Sequence, residues 1–189
     1  MSLPRRTALA LLVAAAAPAR GAEPWPVRFG GPFTLTDHTG RRRSDTDFRG
    51  TWLLIQFGYT SCPDICPLSL DTLTAALDGL GPAAARVQPL FITVDPKRDT
   101  PGVLATFVTQ FHPRLLGLTG SDAEIAAVVG AYKVHRRKIV ADPAHPEEYL
   151  VDHGSLTYLI GPDGNFVTLF PYGIDAARMT QALAGYLGR

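Results

Sequence analysis

Cysteine is nearly missing from this chain: its 189 residues hold only two, Cys62 and Cys66, so at most one internal disulfide can form. A surplus of charge is missing as well. Lysine and arginine number 18 against 17 acidic residues, and taking away residues 1–22 as a leader removes Arg5, Arg6 and Arg20 but no acid, which leaves 15 against 17. Nucleic-acid binding calls for a basic surplus gathered on one face, so that class of partner is excluded. The local clusters Arg41-Arg42-Arg43 and Lys133 with Arg136-Arg137-Lys138 read as solvated loop and helix-end charge, with docking to an acidic partner as the other reading. No internal repeat or low-complexity tract follows the leader. A retained membrane anchor is the less favoured of two readings of the N-terminus, because the apolar stretch from Ala8 to Ala17 is about half of the roughly 20 residues a span requires and Pro18 ends it.

Arg5-Arg6 before that stretch and Ala17-Pro18-Ala19 after it form the pattern of a secretory signal. Residues 1–22 are expected to be a signal peptide cleaved near 19–22, by the ordinary or the twin-arginine route. Residues 23–189 are then one exported domain of roughly 165 residues, long enough for a proper core. Export would place the two cysteines in an oxidising compartment, where a structural staple is the plain reading. A bridge across so short a spacing constrains little chain, however, and returns little stability.

Phe33 to Thr36, followed by Asp37-His38-Thr39-Gly40, reads as a strand and a turn. Trp52 to Phe57 is an almost unbroken apolar run of strand length, as expected of a central strand covered on both faces. Pro67 fits a first helical turn, so a helix is expected from there to Leu80, with Leu70, Leu73, Leu77 and Leu80 as its buried stripe. Val87 to Val94 is a second apolar strand, Thr100-Pro101 opens a helix to about Phe111, and Leu115 to Thr119 is a short strand. Ser121-Asp122-Ala123-Glu124 is a capping box opening a helix to Tyr132. His135 to Asp152 shows no period and reads as a mobile loop. Leu156 to Ile160, the turn Gly161–Asn165 and Phe166 to Phe170 form a hairpin, and a last helix runs from about Asp175 to Leu187. Strands alternating with helices in this order give an α/β fold of the thioredoxin type: a central mixed sheet flanked by helices, with an N-terminal strand or hairpin extension.

The two cysteines sit where the central strand meets the first helix, the place where α/β folds put chemistry. A thiol pair can attack a disulfide, close into one, or hold a soft metal ion, so a redox site, a metal site or both remain open. Cys66, at the helix start, is expected to have a lowered pKa from the free N–H groups and the helix dipole. Asp64 is expected to stabilise the helix start, and Asp95 and Asp99 to lie at the strand end beside the site. A turn or cap role suits Asp95 better than a ligand role.

The stretch Phe57-Gly58-Tyr59-Thr60-Ser61-Cys62-Pro63-Asp64-Ile65-Cys66-Pro67 resembles the signature of the Sco/SenC family of copper proteins, which assist assembly of cytochrome c oxidase. Two further stretches agree with it: Phe91 to Thr100, containing Asp95-Pro96-Lys97-Arg98-Asp99, and Val151-Asp152-His153-Gly154-Ser155 through Gly164. The resemblance implies a thioredoxin-like domain binding one copper ion per chain, Cu(I) or Cu(II), through Cys62, Cys66 and His153. It implies as partners the copper-bearing subunit of cytochrome c oxidase, another copper chaperone as donor and a thiol reductant protein, all in the periplasm. Two thiolates and an imidazole suit copper, whereas closed zinc sites want a fourth ligand. A lone histidine at a strand mouth is ordinarily just a satisfied polar residue; the motif is what singles out His153. His38, His112, His135 and His145 lie in no matching motif and read as surface residues. Many family members keep an N-terminal membrane helix, from which the short, proline-ended run here departs.

Two functions compete on the same sulfurs. One is a periplasmic copper chaperone serving the binuclear copper centre of the oxidase; the other is a thiol-disulfide oxidoreductase that reduces the cysteines of that centre, with Cys62 and Cys66 as its redox-active pair. Dithiol oxidoreductases of this fold carry a proline facing the disulfide, and Val151 to Tyr158 has none, which leaves His153 better explained by metal than by redox chemistry. A thiol peroxidase of the same fold is a third reading, but no peroxidatic motif is present.

Overall fold

A computed structural model of the chain describes residues 29–188, and the expected signal segment 1–22 lies outside them. In chain order the elements are β1 (Thr34–Asp37), β2 (Arg42–Ser44), β3 (Trp52–Gly58), α1 (Ile65–Gly79), β4 (Val87–Thr93), α2 (Pro101–Val108), β5 (Leu116–Thr119), α3 (Asp122–Ala131), β6 (Arg136–Val140), β7 (Tyr149–His153), β8 (Thr157–Ile160), β9 (Phe166–Phe170) and α4 (Ala176–Leu187). Seven strands form one mixed sheet in the order β2-β1-β5-β4-β3-β8-β9. Its middle, β5-β4-β3, is parallel, and the strands on either side run antiparallel to it. This is the expected thioredoxin-like arrangement, with β1 and β2 as the N-terminal hairpin.

β3 is apolar along its length because both of its faces are covered. Leu53, Ile55 and Phe57 pack on one side with Ile125 and Val128 of α3. Leu54 packs on the other with Leu73 and Leu77 of α1 and Met179 and Leu183 of α4. A third cluster joins Leu70 of α1, Phe91 of β4 and Leu104 and Val108 of α2. Each such fully buried side chain contributes about 1.5–3 kcal/mol, so the first turn of α1, which carries Cys66, rests on a rigid support.

Several boundaries differ from the sequence expectations. α1 begins at Ile65, so Pro67 is still in its first turn but Cys66 is helical, and Leu80, its C-cap, is only partly buried. α2 stops at Val108 and not near Phe111, its carbonyls being closed off by a tight turn through Thr109. The capping box at Ser121 is present, with Ser121 and Glu124 bonding each other's backbone N–H. The largest correction concerns 135–152. The segment is not a mobile loop; it contains the antiparallel pair β6 and β7, in register from Arg136 opposite His153 to Val140 opposite Tyr149. Four of the five β6 residues are exposed, so no inward-outward alternation marks the strand in the sequence. Only Tyr149 and Val151 of β7 are buried.

Candidate metal centre

The site forms where β3 ends, where α1 begins, and where β7 ends. Gly58 closes β3, and the Cys62 N–H donates to the Tyr59 carbonyl at 3.1 Å, turning the chain so that Cys62 faces back over the start of α1. The buried Asp99 carboxylate holds this turn from the adjacent β4 loop: it accepts the Thr60 N–H at 3.0 Å, the Thr60 hydroxyl at 2.6 Å and the Thr93 hydroxyl at 2.6 Å. Gly58 is required by close approach, since a Cβ there would lie 2.7 Å from Cys66 Sγ and 2.7 Å from a Phe91 ring carbon.

Cys62, Cys66 and His153 converge, with one ligand atom from each lying within 4.8 Å of the other two. Among the described residues no other histidine, cysteine or acidic residues form such a group of three. Both thiols are free; Cys66 is fully buried and Cys62 is half-buried. Nε2 of His153 lies 3.2 Å from Cys66 Sγ. Nδ1 lies 2.8 Å from the Gly154 carbonyl oxygen. A carbonyl only accepts, so the proton sits on Nδ1 and Nε2 is the nitrogen turned to the sulfurs, the tautomer arrangement that a metal-binding histidine needs. The Tyr59 ring meets the imidazole edge-on, with centroids 5.7 Å apart.

The charges differ from the sequence expectation. Cys62, and not Cys66, is the acidic thiol. The Cys66 thiol donates to the Cys62 sulfur, and His153 and the backbone N–H groups of Asp64 and Cys66 add to it; together they outweigh burial and bring Cys62 down to about 3. The helix-start amides therefore serve the outer sulfur. Cys66 moves up, because its proton is held by the Cys62 sulfur, because it is buried, and because Cys62 is negative. His153 is raised above its ordinary 6.5; burial opposes this, but Cys62, the Gly154 carbonyl and the charges of Cys62 and Asp152 prevail. The metal-free site thus holds a thiolate beside a proton-loving imidazole, with a second proton kept on the inner sulfur.

The acidic residues take other roles. Asp95 is buried and is not among the converging ligands; it accepts the Tyr149 hydroxyl at 2.9 Å and pairs with the Arg98 guanidinium. Asp64 occupies the N-cap position of α1, but its side chain makes no cap hydrogen bond, so the expected stabilisation of the helix start by that carboxylate is not made in this way. Of the other histidines, His135 and His145 are exposed and pair with Asp152 and Asp142. His38 is half-buried, with Nδ1 accepting the Gly117 N–H. His112 corrects the surface reading: it is buried, its Nδ1 accepts the Arg114 N–H at 3.1 Å, and burial lowers its pKa. The sequence reading missed Tyr59, Arg98, Tyr149 and the Gly154 carbonyl as parts of the site. Three of them, Tyr59, Arg98 and Gly154, lie inside the quoted motifs, but only contacts across the fold reveal what they touch.

Comparison with known proteins agrees with this geometry. A family model described as SCO1/SenC matches residues 22–188. The human protein "SCO1 homolog, mitochondrial" is 46% identical over 160 residues, covering 84% of this chain and 52% of the human one. The chain thus spans about half the length of that curated relative. Among solved structures, Bradyrhizobium japonicum ScoI with copper bound is 40% identical and superposes with a TM-score of 0.76 over 84% of this chain and 99% of its own. BsSco, described as having a disulfide switch and as a member of the Sco family of cytochrome c oxidase assembly proteins, is 25% identical with a TM-score of 0.66 over 86% and 96%. No helix among the described residues is long and apolar enough to cross a membrane.

Proposed function

Because the chain belongs to the SCO1/SenC family, we propose that it is a copper chaperone: it takes up one copper ion through Cys62, Cys66 and His153 and delivers it to the binuclear copper centre of cytochrome c oxidase. The observation that carries this reading is the convergence of two sulfurs with Nε2 of a histidine whose other nitrogen is committed to a carbonyl. Two soft thiolates and one imidazole form a donor set suited to copper. They leave a closed zinc site one ligand short.

Uptake begins at Cys62, the half-exposed sulfur that is already a thiolate, by exchange with the thiolates of a donor protein. Cys66 then gives up its proton and His153 presents Nε2, so loading releases protons. Delivery runs in reverse, with the acceptor's ligands displacing the imidazole and then the sulfurs. The donor is another copper chaperone and the acceptor is the copper-bearing subunit of the oxidase. The chemistry belongs to an exported protein. Residues 1–22 act as the signal, cleaved near 19–22, and the domain 23–189 works in the periplasm; N-terminal sequencing of the secreted protein tests this, and an intact residue 1 would overturn it.

One observation favours a second reading. A low-pKa outer thiol over a buried, proton-bearing partner is the arrangement that thiol-disulfide exchange uses. In that reaction the Cys62 thiolate attacks a disulfide of the oxidase copper centre, the mixed disulfide is resolved by Cys66, and the partner leaves with two thiols while Cys62 and Cys66 become a disulfide. A thiol reductant protein must then restore the pair. His153→Ala separates the two readings. A chaperone with this variant should lose Cu(II) affinity and fail to support oxidase activity at limiting copper, with partial rescue by added copper through mass action. Full oxidase activity from a folded His153→Ala protein at limiting copper would leave the reductase reading standing and remove the chaperone one.

A further inference from the structure

As strands, β6 and β7 pair with each other and not with the seven-stranded sheet. The hairpin that carries His153 is therefore seated by side chains: Tyr149 and Val151 pack into the core, and Arg98 reaches it from the β4 loop. Its Nε pairs with the Asp95 carboxylate. Its Nη1 donates to the Tyr149 carbonyl of β7 at 3.0 Å. The guanidinium carbon lies 3.9 Å from the centroid of the Tyr149 ring and 5.4 Å from that of Tyr59. Tyr149 closes the ring of contacts by donating its hydroxyl to Asp95 at 2.9 Å.

Tyr59 links this cluster to the ligands. Its hydroxyl accepts the N–H of Val151 in β7, and its ring stands edge-on to the His153 imidazole. Arg98 thus touches the β4 loop, the turn that leads to Cys62 and the strand that ends in His153, but none of the three ligands. A planar, permanently charged fork can pair with a carboxylate, bond a carbonyl and lie flat over aromatic rings at once, a spread that a compact ammonium does not match.

We propose that Arg98 is a positioning residue for the metal centre, clamping the β6–β7 hairpin so that His153 is held against a thiol pair whose own placement depends on β3 and α1. The inference rests on the copper reading for its consequence, but the clamp itself can be measured without metal. Freed of the guanidinium, the hairpin keeps the Tyr149 hydroxyl on Asp95 and the buried Tyr149 and Val151 side chains but loses the bridge from Arg98 to the Tyr149 carbonyl, and it loosens with His153 at its end while Cys62 and Cys66 keep their seats. The three-ligand site then becomes a two-thiolate site. Cu(I), which accepts two soft ligands, is retained; Cu(II), which needs the imidazole, is released.

The test is Arg98→Met, which keeps an apolar stem over the tyrosines, together with the double variant Arg98→Met/Asp95→Asn, which removes the buried unpaired carboxylate if the single variant folds poorly. Arg98→Lys serves as the charge-preserving comparison. In the reduced, metal-free protein, amide hydrogen exchange at 136–140 and 149–153 should speed up while that of β3 and β4 stays slow, and the His153 ring resonances should shift towards those of a solvated histidine. Cu(II) affinity by chelator competition should fall by about 10- to 100-fold, the range for losing an outer-shell partner, with Cu(I) affinity kept and Arg98→Lys intermediate. A folded variant with wild-type hairpin exchange and wild-type His153 resonances would overturn the clamp. So would a lowered melting temperature with no change in the Cu(II)-to-Cu(I) affinity ratio, which would make Arg98 merely structural. If the wild-type protein takes up no copper, the proposed function fails, and the metal-free measurements still decide whether Arg98 positions His153.

Discussion

Replacing Gly58 with alanine tests how tightly β3 supports the sulfurs. The new Cβ would sit 2.7 Å from Cys66 Sγ, 2.7 Å from Phe91 Cε2 and 3.1 Å from Phe91 Cζ, whereas ordinary contacts begin at 3.4 Å. One partner must move by about 0.7 Å, the difference between those distances. Neither yields easily: Cys66 is in the first turn of a packed helix, and Phe91 is fully buried against Leu104 and Val108. Overpacking of this kind costs about 1–3 kcal/mol. At about 2–4 °C per kcal/mol for a domain of this size, the melting temperature should fall by about 2–12 °C. The same shift exceeds the roughly 0.5 Å within which a binding constellation must be held, so copper affinity should fall too. The assay is thermal unfolding of the reduced protein in chelator by circular dichroism, followed by copper competition. Gly102→Ala in α2 is the control, because nothing lies within 4 Å of its Cβ position and an added methyl in a helix is neutral to stabilising. A Gly58→Ala protein that melts within about one degree of wild type and binds copper normally would refute the reasoning.

Asp37 should make the protein acid-sensitive. Its burial raises the carboxyl pKa, but the Thr39 hydroxyl, Arg43 and the backbone N–H groups of Arg41 and Thr39 outweigh that and hold it at about 2. A depressed folded pKa stabilises the protein above the unfolded value near 3.8, and the benefit, on the order of 2 kcal/mol, disappears as pH falls through 2; Asp37→Asn should flatten the stability profile between pH 4 and 2, and an unchanged profile would count against it. Copper affinity of the reduced protein should weaken as pH drops through the raised His153 pKa, with protons released on loading in weakly buffered solution. His153→Ala should release fewer protons, and an equal count in both proteins would contradict the ligand assignment. Closing Cys62 and Cys66 into a disulfide should abolish most copper uptake until a reductant is added; equal uptake by both forms would show that the thiolates are not the ligands. Asp99→Ala leaves the Thr60 amide and two hydroxyls without their shared acceptor. It should cost about 1–3 kcal/mol and speed alkylation of Cys62, read against iodoacetamide at fixed pH.

The sequence by itself determined the main sheet and singled out the candidate ligands. Trp52 to Phe57 and Val87 to Val94 are apolar enough to require burial on both faces, and the spacing from Leu70 to Leu77 requires a helix packed on them, so β3, α1 and β4 were legible from hydrophobic pattern alone. Cys62, Cys66 and His153 were legible because they lie in short motifs whose residue types carry the chemistry. What only the tertiary structure decided depends on residues distant in the chain. β6 was hidden because four of its five residues are exposed, and β7 because only Tyr149 and Val151 turn inward to the core, so the pair draws its order from mutual pairing and from contacts such as that with Arg98. The acidic thiol was misassigned for the same kind of reason. A helix start predicts which amides are free, but which sulfur they reach depends on the turn at Tyr59, and which sulfur is buried depends on how closely Gly58 and Phe91 let Cys66 approach. Backbone pattern is a local property of the chain, whereas protonation and ligand placement are set by distances between its segments, and those exist only once the chain has folded.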